Sequence, residues 1–252
     1  MNRFFVSPND ICTEKKQITI AGEDVKHISK VLRLSKGDMV EICDGQRYEF
    51  IAEIEYIGKT EVLLKVKEQQ QLKTEPPIDM ILYQSIPKAT KMELIIQKTT
   101  EMGIKAIIPV ITDRTIVQFK NHKDMEKKVD RWQKIAGEAA KQSKRGMIPA
   151  IHLPMNLNKA LEHSQANNHN VIAYEKENTT GIKSIINALK ENNAEKVGIW
   201  IGPEGGFTEE EVNMAIDKNV QAITLGPRIL RTETAGFTVL SILMYELGDL
   251  GG

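Results

Sequence analysis

From Arg3 to about Leu72, β-branched and aromatic residues alternate with polar ones at period two, the pattern of short strands buried on one face. Residues 39–43 and 47–56, joined through Asp44-Gly45, read as a hairpin whose Asp-Gly pair supplies the positive φ angles of a tight turn. Gly58-Lys59 turns the chain again before an alternating strand over residues 61–67. Residues 23–32 depart from this rhythm, with helical spacing through Val25, Ile28 and Val31/Leu32. The pattern predicts a small β-barrel with one short helix over residues 1–72.

Lys73-Thr74-Glu75-Pro76-Pro77 is a polar connector whose two prolines donate no backbone hydrogen bond, and it marks the expected domain boundary. Beyond it strands and helices alternate: a strand over 79–84, a helix over 91–102 stopped by Gly103, then strands over 106–111, 171–174, 197–201 and 222–225. Such alternation predicts an α/β domain with a parallel sheet over residues 73–252. A long helix over 124–143 places Met125, Val129, Trp132, Ala136 and Ala139 on one face. The last helix, 235–247, is apolar nearly all round, as in a core or against a second subunit.

Composition changes this picture little, and charge changes it more. With 252 residues, 41% hydrophobic and 27% charged, the chain is large enough for one or two folded domains and excludes disorder and fibrous repeats. Cys12 and Cys43 form neither a disulfide framework nor a metal or redox spacing, so a reducing cytosol and no bound metal are expected. The start lacks the pattern of a secretory signal, and the apolar stretch 234–245 is about half the roughly 20 residues of a membrane span. Thirty-four basic residues balance thirty-four acidic ones, which argues against indiscriminate nucleic-acid coating. The balance is local only in part: residues 73–150 carry 15 basic against 9 acidic, and residues 151–252 carry 8 against 13. The surplus runs along the outer face of the long helix through Lys127, Arg131, Lys134 and Arg145, a set that fits phosphate contacts and equally a solvated face.

Two loops carry the candidate chemistry. Ile201-Gly202-Pro203-Glu204-Gly205-Gly206-Phe207 follows a strand and precedes a helix opened by the capping box Thr208-Glu209-Glu210-Glu211. Its glycines allow close approach of backbone to a ligand, at the end of a sheet where open α/β folds bind one. It matches neither dinucleotide nor nucleoside-triphosphate fingerprints, and as a strand-to-helix turn it has a purely structural reading too. Leu225-Gly226-Pro227-Arg228-Ile229-Leu230-Arg231-Thr232-Glu233-Thr234-Ala235 is too apolar for a solvent loop and is expected to enclose a partly apolar ligand such as an adenine ring.

This pair of loops, in this order and roughly twenty residues apart, resembles the signature of the RsmE-type methyltransferases of the SPOUT superfamily. The resemblance extends over Arg3-Phe4-Phe5, residues 27–34, Lys91-Met92-Glu93, Gln97-Lys98, Glu101-Met102-Gly103, Glu138-Ala139, Gln142 and Arg145. It implies an amino-terminal PUA-like RNA-binding barrel, a methyltransferase domain with a trefoil knot, a cytoplasmic homodimer, and S-adenosylmethionine as cofactor. It further implies methylation of uridine N3 in 16S ribosomal RNA, free or in the 30S subunit. The cofactor would lie against Gly202, Glu204, Gly205, Leu225, Gly226, Ile229, Leu230 and Thr234, with the strand end Ala173-Tyr174-Glu175 as a third wall. Transfer requires loss of the N3 proton, so Arg231 is a candidate to stabilise the resulting anion, Arg145 to hold a phosphate or the base, and Glu204 or Glu233 to take the proton. Arg228 and Arg231 have an alternative role as carboxylate partners. A SPOUT enzyme acting on another RNA and a catalytically silent RNA-binding protein are the competing functional readings.

Overall fold

The computed structural model describes residues 1–251, which divide into two compact units. The first consists of Met1–Glu75 together with Ala140–Ile148. The second consists of Pro76–Ala139 and the chain from Pro149 onward.

In the first unit, β1 (Asn2–Phe5), β2 (Ile11–Cys12), β3 (Gln17–Ala21), β4 (Met39–Cys43), β5 (Tyr48–Ile57) and β6 (Glu61–Gln71) form one sheet in the order β1-β4-β5-β6-β3-β2. Only β1 and β4 run parallel. The period-two alternation delivers one apolar face: Ile18 and Ile20, Val40 and Ile42, Phe50, Ala52 and Ile54, and Val62 and Leu64 share a core with Phe4, Val25 and Ile28. The hairpin turn is longer than a two-residue connection. Gly45 alone takes a positive φ, +69°, while Asp44 Oδ1 accepts the N–H groups of Gln46, Arg47 and Tyr48 and so builds the turn from its side chain. The short helix α1 (Glu23–Lys26) passes into a π turn over His27–Val31, closed by Leu32 N–H to His27 O.

A single boundary at residue 72 does not describe this unit, because residues 140–148 belong to it. Their attachment is electrostatic and steric. Arg3 donates to the carbonyl of Arg145 at 3.0 Å while pairing with Glu41 and Glu49. Lys141 pairs with Asp24 at 3.0 Å, and Arg145 with Glu75 at 2.6 Å. Gly146 sits so tightly on Leu72 that a Cβ there would come within 2.1 Å of its side chain.

The second unit is built on the parallel strands β7 (Asp79–Ser85), β8 (Ala106–Ile111), β10 (Met155–Asn156), β11 (His169–Ala173), β12 (Lys196–Ile201) and β13 (Val220–Ile223), ordered β10-β8-β7-β12-β11-β13, with β9 (Ala150–Ile151) also paired to β8. β7, β8 and β12 are buried along nearly their whole length, as in a parallel sheet covered on both faces. The helices of this unit are α2 (Lys91–Glu101), α3 (His122–Gln142, of which residues 122–139 belong here), α4 (Leu157–Ser164), α5 (Ile182–Glu191), α6 (Glu209–Ile216) and α7 (Thr232–Leu247). Gly103, at φ +92°, ends α2 as expected, in the left-handed conformation that glycine tolerates. Tyr83 of β7 stacks on Trp200 of β12 with ring centroids 4.3 Å apart, at the centre of the core.

Candidate active site

β11, β12 and β13 are neighbours in the sheet and run in the same direction, so the loops at their carboxyl ends gather at one edge. These loops wall a cleft of about 890 Å³ within the second unit. Residues 202–206, after β12, form the first wall, residues 224–231, after β13, the second, and Ala173, Tyr174, Glu175, Glu177 and Asn178, at and beyond the end of β11, the third.

The first wall follows from its glycines. Gly206, at φ +68°, closes a turn onto the Pro203 carbonyl, and Gly202 lies so near it that a Cβ would come within 3.1 Å of the Gly206 backbone. The capping box forms: Glu211 accepts the Thr208 N–H and Thr208 Oγ1 accepts that of Glu211. Glu211 also accepts the Asp113 N–H at 2.8 Å, and Arg114 donates to the Gly205 carbonyl, so the loop following β8 braces the glycine loop from outside. A side chain at Gly205 would meet the Arg114 stem at 3.1 Å, whereas one at Gly226 would enter open space.

The second wall turns at Gly226, φ +100°, and carries Arg228, Ile229 and Arg231 with exposed side chains. Ile229 is 87% exposed, unusual for an isoleucine beside a cleft and consistent with a surface that a ligand covers. Thr232, at the start of α7, is buried: its hydroxyl donates to the Gly202 carbonyl at 2.6 Å and accepts from Gln84 Nε2 at 2.9 Å, tying the two walls together at their base.

Of the residues expected from the sequence, Tyr174, Gly202, Glu204, Gly205, Leu225, Gly226, Ile229, Leu230 and Arg231 line the cleft. Thr234 does not. It is exposed, and its place in the wall is taken by Thr232 and Ala235, because at 100° per residue positions 232 and 235 share a helix face that 234 leaves. Arg145 is not in the wall either. Its side chain is 4% exposed in the first unit and bound to Glu75, whose carboxylate also accepts the N–H groups of Gly146 and Met147; a buried, matched guanidinium of this kind is structural. Lys127, Arg131 and Lys134 are exposed on α3 opposite the buried Trp132, Ala136 and Ala139. Arg131 is partly neutralised by Glu93 at 2.8 Å.

Glu175, expected with Ala173 and Tyr174 as a third wall, lines the cleft, and so do Lys91, Glu177 and Asn178, to which sequence reasoning assigned no site role. Lys91 lies 2.9 Å from Glu204 and 3.6 Å from Glu233. The hydrogen bond to Glu204 and the two nearby carboxylates raise its pKa. Burial acts to raise the Glu204 carboxyl, but the Lys91 ammonium together with backbone N–H donors outweighs it and brings the pKa below its ordinary value. The Thr179 hydroxyl and the Thr180 and Thr179 N–H groups hold Glu177 ionised, with a pKa lowered to about 2. Among the described residues, no group of three or more His, Cys, Asp or Glu side chains gathers as a metal site, and no helix is long and apolar enough to cross a membrane.

The cleft therefore offers glycine-rich backbone, an apolar lip, two exposed arginines and ionised carboxylates: a surface for a small ligand with flat apolar and charged parts. Residues 74–244 match the RNA methyltransferase domain family and residues 20–67 the RNA methyltransferase PUA domain family. The chain is 35% identical over 255 residues to the ribosomal RNA small subunit methyltransferase E of Bacillus subtilis (strain 168), covering all of this chain and 99% of that protein. It resembles the crystal structure of a ribosomal RNA small subunit methyltransferase E from Neisseria gonorrhoeae bound to S-adenosyl methionine, with a TM-score of 0.87, 28% identity and 99% of each chain covered. A similar likeness, with a TM-score of 0.84, 30% identity and 98% of each chain covered, joins it to a putative methyltransferase from Legionella pneumophila in complex with the cofactor SAM. With an α/β methyltransferase domain, a PUA-like amino-terminal domain and full-length relatives of this kind, the chain belongs to the ribosomal RNA small subunit methyltransferase E family.

Proposed function

We propose that this protein transfers a methyl group from S-adenosylmethionine to N3 of a uridine in small-subunit ribosomal RNA. The observation that carries this reading is the cleft at the ends of β11, β12 and β13, in a chain matched along its length by rRNA methyltransferases. The residues present fit the cofactor. Gly226 leaves open space where a side chain would stand, Leu225, Ile229 and Leu230 supply apolar surface for an adenine ring, and Glu175 and Glu177 supply negative charge for a cationic ligand. When bound, S-adenosylmethionine supplies an electrophilic methyl group on a positively charged sulfur.

The chain's own work is to present the nitrogen and make it nucleophilic. Uridine N3 carries a weakly acidic proton, so a cation that stabilises the anion favours its loss. That role is proposed for Arg231, which is exposed at the cleft rim. Glu204 is less suited to accept the proton, because Lys91 and the Lys88 N–H hold it as a weakly basic carboxylate. The exposed cations of α3, Lys127 foremost, and the PUA-like domain are the proposed RNA contacts. We further infer a trefoil knot: after β13 the chain returns as α7 to pack on β12 and β7, past the loops that follow β11 and β12. A cytoplasmic homodimer, with the apolar α7 at the subunit interface, completes the reading.

The test is transfer of a labelled methyl group to 30S subunits, and separately to their purified RNA, from cells lacking the enzyme, followed by nucleoside analysis. Labelled 3-methyluridine is the expected product. Labelling of transfer RNA instead selects another RNA target, and cofactor binding without transfer to any RNA selects a silent RNA-binding protein.

A further inference from the structure

Lys91 joins three elements that the sequence keeps far apart. It is the first residue of α2, and its ammonium lies 2.9 Å from Glu204 Oε1 in the glycine loop and 3.6 Å from Glu233 Oε2 in the first turn of α7. The same Glu204 carboxylate accepts the backbone N–H of Lys88, at 3.1 Å, from the turn that precedes α2. Beneath this outer contact runs the buried chain Gln84–Thr232–Gly202, which joins the same two cleft walls from below.

The two walls contain Gly202, Gly205, Gly206 and Gly226, so their backbones have little intrinsic preference for one conformation. Something outside the loops must set their spacing. The buried Thr232 contact fixes the base of the cleft, and among the described residues Glu204 and Glu233 form their ion pairs with Lys91.

Resting on the methyltransferase reading, we propose that Lys91 is a positioning residue that holds the two loops at the spacing that binds the cofactor, acting through Glu204 and Glu233. A partly exposed ion pair contributes little to global stability. Its effect on binding is larger, because the apparent affinity falls with the fraction of molecules whose loops are correctly spaced. The raised Lys91 and lowered Glu204 pKa values keep both partners charged at neutral pH.

The experiment is calorimetric titration of S-adenosylmethionine and S-adenosylhomocysteine into the full chain and its variants K91M, K91R, E204Q and K91M/E204Q, with a thermal melt of each. K91M is expected to weaken both ligands about 10-fold. E204Q should behave alike, and the double variant should lose no more than about two-fold beyond the weaker single one, since both break the same contact. K91R should recover affinity to within about three-fold, and melting midpoints should stay within about 2 °C of the parent. K91M affinity within about two-fold of the parent, or additive losses in the double variant, overturns the proposal. Failure of the parent to bind either ligand overturns the methyltransferase reading and the proposal with it, whereas parental binding with unchanged K91M affinity overturns the proposal alone.

Discussion

Two arginines, Arg145 and Arg231, stand in motifs of equal promise in the sequence and meet opposite fates in the fold. Arg145 closes the segment 140–148 into the first unit: its guanidinium is almost wholly buried against Glu75, and the Arg145 carbonyl is held by Arg3. Arg231 stands exposed at the rim of the second unit's cleft, at the N-cap of α7. A charge removed from water needs a matched partner and is then unavailable to a ligand; a charge left in water beside a cleft can bind one. The difference between the regions is desolvation, which residue type and spacing do not encode.

Substitution provides the strongest test of this contrast. R145A removes the charged partner of the Glu75 carboxylate, leaving it only backbone N–H donors, and is expected to destabilise the fold by about 3–5 kcal/mol, visible in chemical denaturation. A stable R145A protein with selectively lost methyl transfer would break the contrast and return Arg145 to the catalytic set. R231A is expected to lower kcat by roughly 10²-fold with stability changed by less than about 0.5 kcal/mol, measured by single-turnover methylation beside denaturation. Loss of stability without a specific loss of turnover would place Arg231 with Arg145. The smallest effect belongs to α3. K127A should reduce the slope of log affinity for RNA against log salt by about 0.7–0.9, the signature of one lost phosphate contact. R131A should change it less, because Glu93 already neutralises part of that charge. Equal slopes for K127A and the parent would make the face a solvated one.

Much of the scaffold was legible because it obeys local rules. The period-two runs 40–42, 50–54 and 62–64 became the inner face of the first sheet, and the glycine at 103 ended α2 as a left-handed residue must. The capping box at Thr208–Glu211 formed as spelled. Helices α4 and α5 were not anticipated, since their short apolar stripes are interrupted by polar residues and no strong start signal precedes α5. Along the cleft, residues carried by the two glycine-containing loops and by the strand end Ala173-Tyr174-Glu175 were recognisable, while Lys91, Glu177 and Asn178 were not. Each of these lies in a different stretch of chain from those loops, in surroundings that resemble an ordinary solvated turn or helix start. Thr234 was misplaced by a local rotation: the helix begins at Thr232, and that start decides which of its first residues faces the cleft.

By itself the sequence determined the two rhythms, the loop pair and the family, because periodicity, turn chemistry and motif spacing are properties of neighbours along the chain. The tertiary structure decided that residues 140–148 join the first unit, that Arg145 is buried against Glu75, and that Lys91 meets Glu204 and Glu233. Those outcomes depend on which distant groups exclude water from one another, and that is settled only when far-separated segments of the chain pack together.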